Sequence, residues 1–374
     1  MKVAIAHHWL VGMRGGERVL EAICELFPEA DIYTLFYNPG MISRAIRRHR
    51  IFASWLNHIP ASSKIYPNLL PLYPIGCRSL DLRAYDLVIS NDSSVIKTVR
   101  MSPHAVHICY CLSPPRYLWD MSEVYLDRAG FARRTFAHLT FPWLRRYDFI
   151  GAQKVNSFVA ISSHIQNRIK RHYRRHSTVI YPPVDASIGE GCSRVDHQGR
   201  GDYYLALGQL VHYKRADLTV QAMSRLGRRL VVIGGGPEKT RLERMAGPTV
   251  EFLGWQPDRV VRQHLTSCRA LIFPPEEDFG LTPVEAQMAG KPVIAYGRGG
   301  ALETVVDEVT GLFFHHQDTD DLIEALNRFE SIESTFSPER IRQNAMRFAR
   351  SVFLHSFGEF VSQTLELAQQ EQNL

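Results

Sequence analysis

Short runs of β-branched and aliphatic residues alternate with amphipathic stretches along this whole chain. Lys2–Ala6 reads as a strand and Glu17–Phe27 as a helix, with Leu20, Ile23, Cys24 and Phe27 as its apolar positions. Further strands are predicted at Asp86–Ser90, Val106–Cys111 and Phe158–Ile161. A second series runs through Tyr203–Leu207, Leu230–Ile233, Val250–Leu253, Ala270–Phe273 and Pro292–Ala295. Short apolar runs closed by turn residues and separated by helix-length segments are the pattern of βαβ units, so an α/β architecture with parallel sheets is predicted. Between the two series lies Tyr181-Pro182-Pro183-Val184-Asp185, followed by the polar stretch Ser187–Asp202. Consecutive prolines continue neither a helix nor a strand, which marks a hinge. Two domains are expected, residues 1–180 and 181–354. The last segment is helical, with a break at Gly358 from which residues 355–374 cross back to the first domain.

A chain of 374 residues is long enough for two cores, and 45% hydrophobic with 22% charged residues is the composition of a folded globular protein. No window holds the roughly 18 consecutive apolar residues of a membrane span. Met1–Leu10 lacks the order of charge, apolar run and cleavage site that marks an export signal, so a cytoplasmic location is expected. The cysteines Cys24, Cys77, Cys109, Cys111, Cys192 and Cys268 have neither zinc nor redox spacing and read as small buried apolar residues. Charge is asymmetric: residues 1–180 hold 24 Lys and Arg against 12 Asp and Glu, and the remainder hold 20 against 26. The first half is therefore expected to face an anionic partner.

The densest chemistry lies in Phe273-Pro274-Pro275-Glu276-Glu277-Asp278-Phe279-Gly280-Leu281-Thr282-Pro283-Val284-Glu285. A strand ends, carboxylates follow, and a helix opens with Pro283 at its first position. Free N–H groups and the positive end of the helix dipole suit a phosphate there, and Glu277 is placed to accept from sugar hydroxyls. Thr282-x-x-Glu285 is equally a capping box, so spacing alone leaves both roles open for Glu285.

Glu277 and Glu285, eight positions apart around Phe279-Gly280-Leu281, resemble the Glu-x7-Glu motif of the retaining glycosyltransferases of family 4. The resemblance extends to Gly15-Gly16-Glu17, Tyr181-Pro182-Pro183-Val184-Asp185, Lys214-Arg215, Gly234-Gly235-Gly236-Pro237 and Gly297-Arg298-Gly299-Gly300. Pro114-Pro115-Arg116-Tyr117-Leu118-Trp119-Asp120 is similar to the O-antigen and exopolysaccharide mannosyltransferase subgroup. The resemblance implies the GT-B fold, two Rossmann-like domains facing across a cleft with the nucleotide-sugar donor held by the second. It implies Glu277 on the transferred sugar, Glu285 on the ribose, and Lys214 with Arg215 on the phosphates. Phe279, Gly280, Leu281 and Thr282 would meet the sugar and diphosphate. Gly15 and Gly16 would let the first domain's backbone approach. The donor implied is GDP-mannose or a UDP sugar, and the acceptor a polyprenyl-diphosphate-linked saccharide. Two positions depart from the pattern: Leu112 stands where the subgroup has His, and Gln209 where the family has an Arg beside the diphosphate. These losses make a weakly active or non-catalytic nucleotide-sugar-binding protein the alternative, with a scaffold in polysaccharide assembly as a third reading.

Other signals carry less. Asp318-Thr319-Asp320 precedes a helical run and reads as an N-cap, so no metal or cofactor is predicted. Gly234-Gly235-Gly236-Pro237 lacks the dinucleotide fingerprint spacing. His7, His8, His104 and His107 read as structural histidines. The basic runs Arg44–Arg50 and Arg168–Arg175 come without a nucleic-acid fold signature and read as solvated or membrane-facing, with no nucleic-acid partner. Between Val124 and Tyr147 aromatic residues interleave with Arg133, Arg134, Arg145 and Arg146, the composition of a helix lying on an anionic membrane surface.

Overall fold

The computed structural model of the chain describes residues 1–123, 130–189 and 201–372. The chain divides into two units, the first comprising Met1–Pro183 and Ser351–Leu374, the second Val184–Arg350. The junctions inferred from sequence lay at 180/181 and 354/355. The chain's two crossings are neighbours in the second unit, where Val184 donates to Phe348 O at 2.9 Å and Arg350 donates to Val184 O at 3.0 Å.

The first unit is built on a parallel sheet of seven strands: β1 (Val3–His7), β2 (Asp31–Thr34), β3 (Ile51–Ala53), β4 (Leu87–Asp92), β5 (Val106–Cys111), β6 (Ser157–Ala160) and β7 (Thr178–Val179), in the order β3-β2-β1-β4-β5-β6-β7. The central strand β1 aligns Ile5 with Ile32 on one side and Ile89 on the other, and all three are fully buried. Burial on both faces is why β4 and β5 read as continuous apolar runs. The short strands β2, β3 and β7 lacked such runs and were not legible as strands. Helix α1 (Gly15–Leu26) follows β1, α2 (Phe131–Gln153) precedes β6, and α3 (Ser163–Tyr173) follows it.

The second unit has six parallel strands: β8 (Tyr203–Leu207), β9 (Arg229–Ile233), β10 (Val250–Gly254), β11 (Leu271–Phe273), β12 (Val293–Tyr296) and β13 (Gly311–Phe314), ordered β10-β9-β8-β11-β12-β13. This is the doubly wound order, with its reversal between β8 and β11. Its helices include α4 (Ala216–Leu226), α5 (Asp258–Ser267), α6 (Leu281–Met288) and α7 (Thr319–Ile332). Leu322, Leu326 and Phe329 of α7 are buried in this unit's core. Asp318 caps α7, its carboxylate accepting from the N–H groups of Asp320 and Asp321.

The expected break at Gly358 does not occur, because α8 (Arg350–Gln372) runs through it without interruption. Phe353 and Phe357 stack on each other at 5.4 Å and both meet the Tyr110 ring edge-on at 5.6 Å, which anchors this helix in the first unit. A Cβ at Gly358 would lie 3.7 Å from Leu26 Cδ2, an ordinary packing contact. Gly358→Ala is therefore expected to stabilise the protein by about 1 kcal/mol, the helix-interior difference between the two residues. Urea denaturation of both proteins checks this, and destabilisation would show that the helix needs a glycine there.

Candidate active site

In a doubly wound sheet, ligands bind beyond the carboxyl ends of the strands that flank the reversal. In the second unit those ends are Leu207 and Phe273, and the segments that follow them carry the residues singled out above.

After β8 the chain turns through Gly208, Gln209 and Leu210, makes one turn at His212–Lys214, and enters α4 behind Arg215. The triple glycine after β9 holds this turn. A Cβ at Gly234 would sit 1.8 Å from the Gly208 carbonyl oxygen, so only hydrogen fits. The Leu210 N–H donates to Gly235 O at 2.9 Å, and the Gly208 N–H to Ile233 O at 3.0 Å. Gly234-Gly235-Gly236 is thus a backbone-on-backbone support for the β8 loop, a role that its lack of fingerprint spacing leaves room for.

After β11, Pro274 and Pro275 are buried, Glu277 and Asp278 are half-buried, and Phe279 is buried with its ring against Phe348 at 5.3 Å. The Gly300 N–H donates to Glu277 O at 2.8 Å, and a Cβ on Gly300 would come within 2.3 Å of Phe279 Cα. The Gly297–Gly300 stretch therefore fixes the backbone that carries the carboxylates. Gly280, at φ 85°, is the cap residue of α6, which begins at Leu281. This corrects two expectations. Thr282 and Pro283 lie inside the helix rather than at its cap and first position, so the Thr282–Glu285 capping box does not form. A glycine cap leaves the first amides without a side-chain partner at the cap, and that end of α6 points its partial positive charge into the loop.

An ion pair joins the two segments, Lys214 Nζ to Glu277 Oε1 at 2.8 Å. The exposed Gln209 lines a small pocket together with Lys214, Thr219 and Pro274. The Thr219 hydroxyl is buried without a hydrogen-bond partner, and sequence reasoning gave no signal for it. Glu285 is half-buried on the first turns of α6. Arg215 differs from expectation. Its guanidinium lies on Asp217 at 3.2 Å and on Gln317 at 3.3 Å, while Gln317 donates to Pro274 O at 2.9 Å. Arg215 therefore braces the carboxylate loop through Gln317, a residue far away in sequence that no motif marked.

The first unit has its own reversal between β1 and β4. Gly16 lies there close under Leu112, whose Cδ1 would have to give way to a Cβ at 2.9 Å, and its carbonyl accepts from Asn91 Nδ2 at 2.8 Å. Gly15 begins α1, and Glu17 caps it by accepting from the Arg14 N–H at 2.8 Å. His7, His8 and Glu17 form a buried group whose candidate ligand atoms all lie within 4.8 Å of one another. Glu17 is committed to Arg14 and to His7 at 3.4 Å, and His8 lies 3.3 Å from Asn91 O. Burial and then the neighbouring His7 push the His8 pKa well below the usual histidine value, so the ring is neutral at pH 7.

The segment after β5 is held from beneath. Arg168 is buried and donates to Asp120, to Ser113 Oγ at 2.8 Å and to Pro114 O at 3.0 Å. Burial raises the Asp120 pKa, but His172 and Arg168 outweigh it and bring it down to about 2. Trp119 donates to Asp148 at 2.8 Å, and Asp148 in turn pairs with the buried Lys97. Arg116 is half-buried in this segment. The Arg168–Arg175 run is thus solvated only in part: Lys170, Arg171 and Arg174 are exposed, but Arg168 is spent here, and Arg175 donates to the carbonyls of Ala152 and Val155. Arg145 likewise turns inward, to Leu118 O and Ser122 Oγ, so it does not belong to an outward membrane face. Arg134 and Arg146 are exposed, and the side chain of Arg133 lies outside the described residues, as do residues 124–129.

Residues 194–348 match the family model "Glycosyl transferases group 1". Among curated proteins, the chain is 25% identical over 200 residues to an uncharacterized glycosyltransferase of Methanocaldococcus jannaschii, covering 52% of this chain and 55% of that protein. It therefore spans about half the length of that relative. It is 24% identical over 316 residues to the alpha-1,3/1,6-mannosyltransferase ALG2 of Mus musculus, covering 74% of this chain and 73% of the other. Among solved structures, Anabaena Alr3699/HepE in complex with UDP and glucose superposes with a TM-score of 0.70 at 17% identity, over 97% of this chain and 99% of that one. At that identity the likeness shows the fold. The chain has the GT-B fold, and its residues 194–348 are similar to the glycosyl transferases group 1 family.

Proposed function

We propose that this protein is a retaining glycosyltransferase that moves a hexose from a nucleotide sugar to a lipid-linked saccharide in cell-surface polysaccharide synthesis. The observation that carries the reading is the pairing of Lys214 with Glu277 at the strand reversal of the matched domain. Glycosyl transfer leaves charge growing on a departing diphosphate, and fixed donors aimed at that charge lower the barrier. Lys214 and the open N-terminus of α6 are those donors, Glu277 accepts from hydroxyls of the transferred sugar, and Glu285 accepts from the ribose. Gln209 meets the diphosphate as a neutral amide, and Phe279, Gly280, Leu281 and Thr282 line the sugar and diphosphate with backbone. Gly15 and Gly16 let the first unit's backbone approach a phosphate, and Arg116 serves the acceptor.

GDP-mannose is the proposed donor, supported by the mannosyltransferase relative and by the Pro114–Asp120 segment. A UDP sugar is the competing donor, supported by the uridine nucleotide in the Anabaena neighbour. Incubation with a panel of labelled nucleotide sugars and a crude lipid extract tests the reading, with label expected in the lipid phase from one donor. Label in no product from any donor would overturn it. Glu277→Ala is expected to lower transfer at least a hundredfold, from loss of about 3 kcal/mol of charge-assisted hydrogen bonding to the sugar. Unimpaired turnover in that variant would remove Glu277 from the site.

The protein is proposed to work at the cytoplasmic face of a membrane. Among the described residues no helix is long and apolar enough to cross one. On α2 the side chains of Leu139, Trp143 and Ile150 are 75%, 50% and 47% exposed, a single stripe at helical spacing beside the exposed Arg146, with Arg134 exposed nearer the start of the helix. That stripe suits insertion between headgroups of an anionic bilayer. Reversing charge at Arg134 and Arg146 together is expected to weaken co-sedimentation with phosphatidylserine vesicles about thirtyfold, each cation contributing about 1 kcal/mol near the surface. Equal vesicle binding by both proteins would exclude this face. Arg145→Glu should instead lower the melting temperature, because Arg145 holds Leu118 and Ser122.

A further inference from the structure

The Lys214–Glu277 pair joins the two side chains that the proposed reaction needs for different parts of the donor. Their side chains are 26% and 20% exposed, so the contact is partly withdrawn from water yet open to a ligand. The carboxylate is the stationary partner. Its backbone is held by the Gly300 N–H, preceded by Pro274-Pro275 and followed by the buried Phe279. Lys214 is the movable partner, a four-carbon stem leaving a single turn. Beneath it Gly208 presents no side chain, and even a Cβ there would stay 3.6 Å from Nζ.

We propose that this pair is an exchange latch that makes the site select a nucleotide sugar over the bare nucleoside diphosphate; the proposal rests on the glycosyltransferase reading. A nucleoside diphosphate can bind only by drawing Lys214 off Glu277. That leaves the Glu277 carboxylate without its cation, and the lost ion pair opposes binding. A nucleotide sugar draws Lys214 to its diphosphate and also gives Glu277 hydroxyl donors, so both partners of the broken pair are satisfied. Once the sugar has been transferred, Glu277 loses those hydroxyls and competes again for Lys214. The latch thus favours loading of substrate and release of the nucleotide product with the same two residues.

Calorimetric titration of UDP, GDP and the corresponding nucleotide sugars, without acceptor, into four full-length proteins tests this. The proteins are wild type, Glu277→Gln, Lys214→Met and the double variant; glutamine keeps the size and shape of the glutamate. Glu277→Gln is expected to bind the preferred nucleoside diphosphate about fivefold more tightly than wild type, the worth of a pair of about 1 kcal/mol. The same change should give no gain for the nucleotide sugar. In the Lys214→Met background the Glu277→Gln gain should vanish, because no lysine is left to release. Equal diphosphate affinity in wild type and Glu277→Gln would overturn the latch. A gain that persists without Lys214 would overturn it too, as it would mean direct contact of position 277 with the phosphate. Absence of nucleotide binding by wild type and by every variant would overturn the glycosyltransferase reading and the latch with it.

Discussion

The candidate site depends on places where backbone must approach backbone with no side chain between. Gly208 and Gly234 touch through a carbonyl that would lie 1.8 Å from a Cβ on Gly234, and a Cβ on Gly300 would lie 2.3 Å from Phe279 Cα. These contacts lock the loop after β8 to the loop after β9, and the loop after β11 to the loop after β12. Lys214 and Glu277 are carried on loops braced in this way, and a misplacement of 1 Å at a reacting group is costly. A larger residue at either glycine would displace the carbonyl that orients the loop before it touched any ligand.

This geometry explains which parts of the site were legible in the sequence. Glu277, Lys214 and the glycine runs are local patterns beside strand ends, and the strands themselves were visible as buried apolar runs. The capping assignment failed for a specific reason. Thr282 has the side chain that usually caps a helix, but Gly280 reaches a left-handed conformation that Thr does not, so the helix starts earlier. The glycine two positions before Thr282 was the available signal. Gln317 and Thr219 gave none, because what puts them beside the loop is sheet order and not chain proximity.

The helix α2 shows the same limit from another side. Arg145 and Arg146 are adjacent in sequence but about 100° apart around the axis, so one reaches the protein and the other water. Ala137, Leu144 and Asp148 are buried on the inward side, whereas Leu139, Trp143 and Ile150 form the outward stripe. Periodicity separates these two sets once the buried Asp148 is recognised as inward. A charged residue in the inward row obscured it, because its partners Lys97, Trp119 and Tyr173 come from three other segments. Long-range pairing of buried charge is set by tertiary structure, and composition counts every arginine as surface.

The uneven distribution of charge bears on how a nucleotide sugar reaches such a site. Residues 181–374 carry 20 Lys and Arg against 26 Asp and Glu, so the half that holds the candidate donor site has a net charge of the wrong sign for a diphosphate. Over distances beyond the roughly 8 Å Debye length at physiological salt that charge is largely screened. What remains is local: the open end of α6 and one lysine whose charge is already shared with Glu277. Short-range donors then matter more than steering, which favours recognition by hydrogen-bond geometry over recognition by field. The basic first half has the opposite balance, 24 against 12 in residues 1–180, and is suited to accumulate at an anionic surface. The charge counts thus put the stronger attraction for anions in residues 1–180 and leave residues 181–374 to local donors.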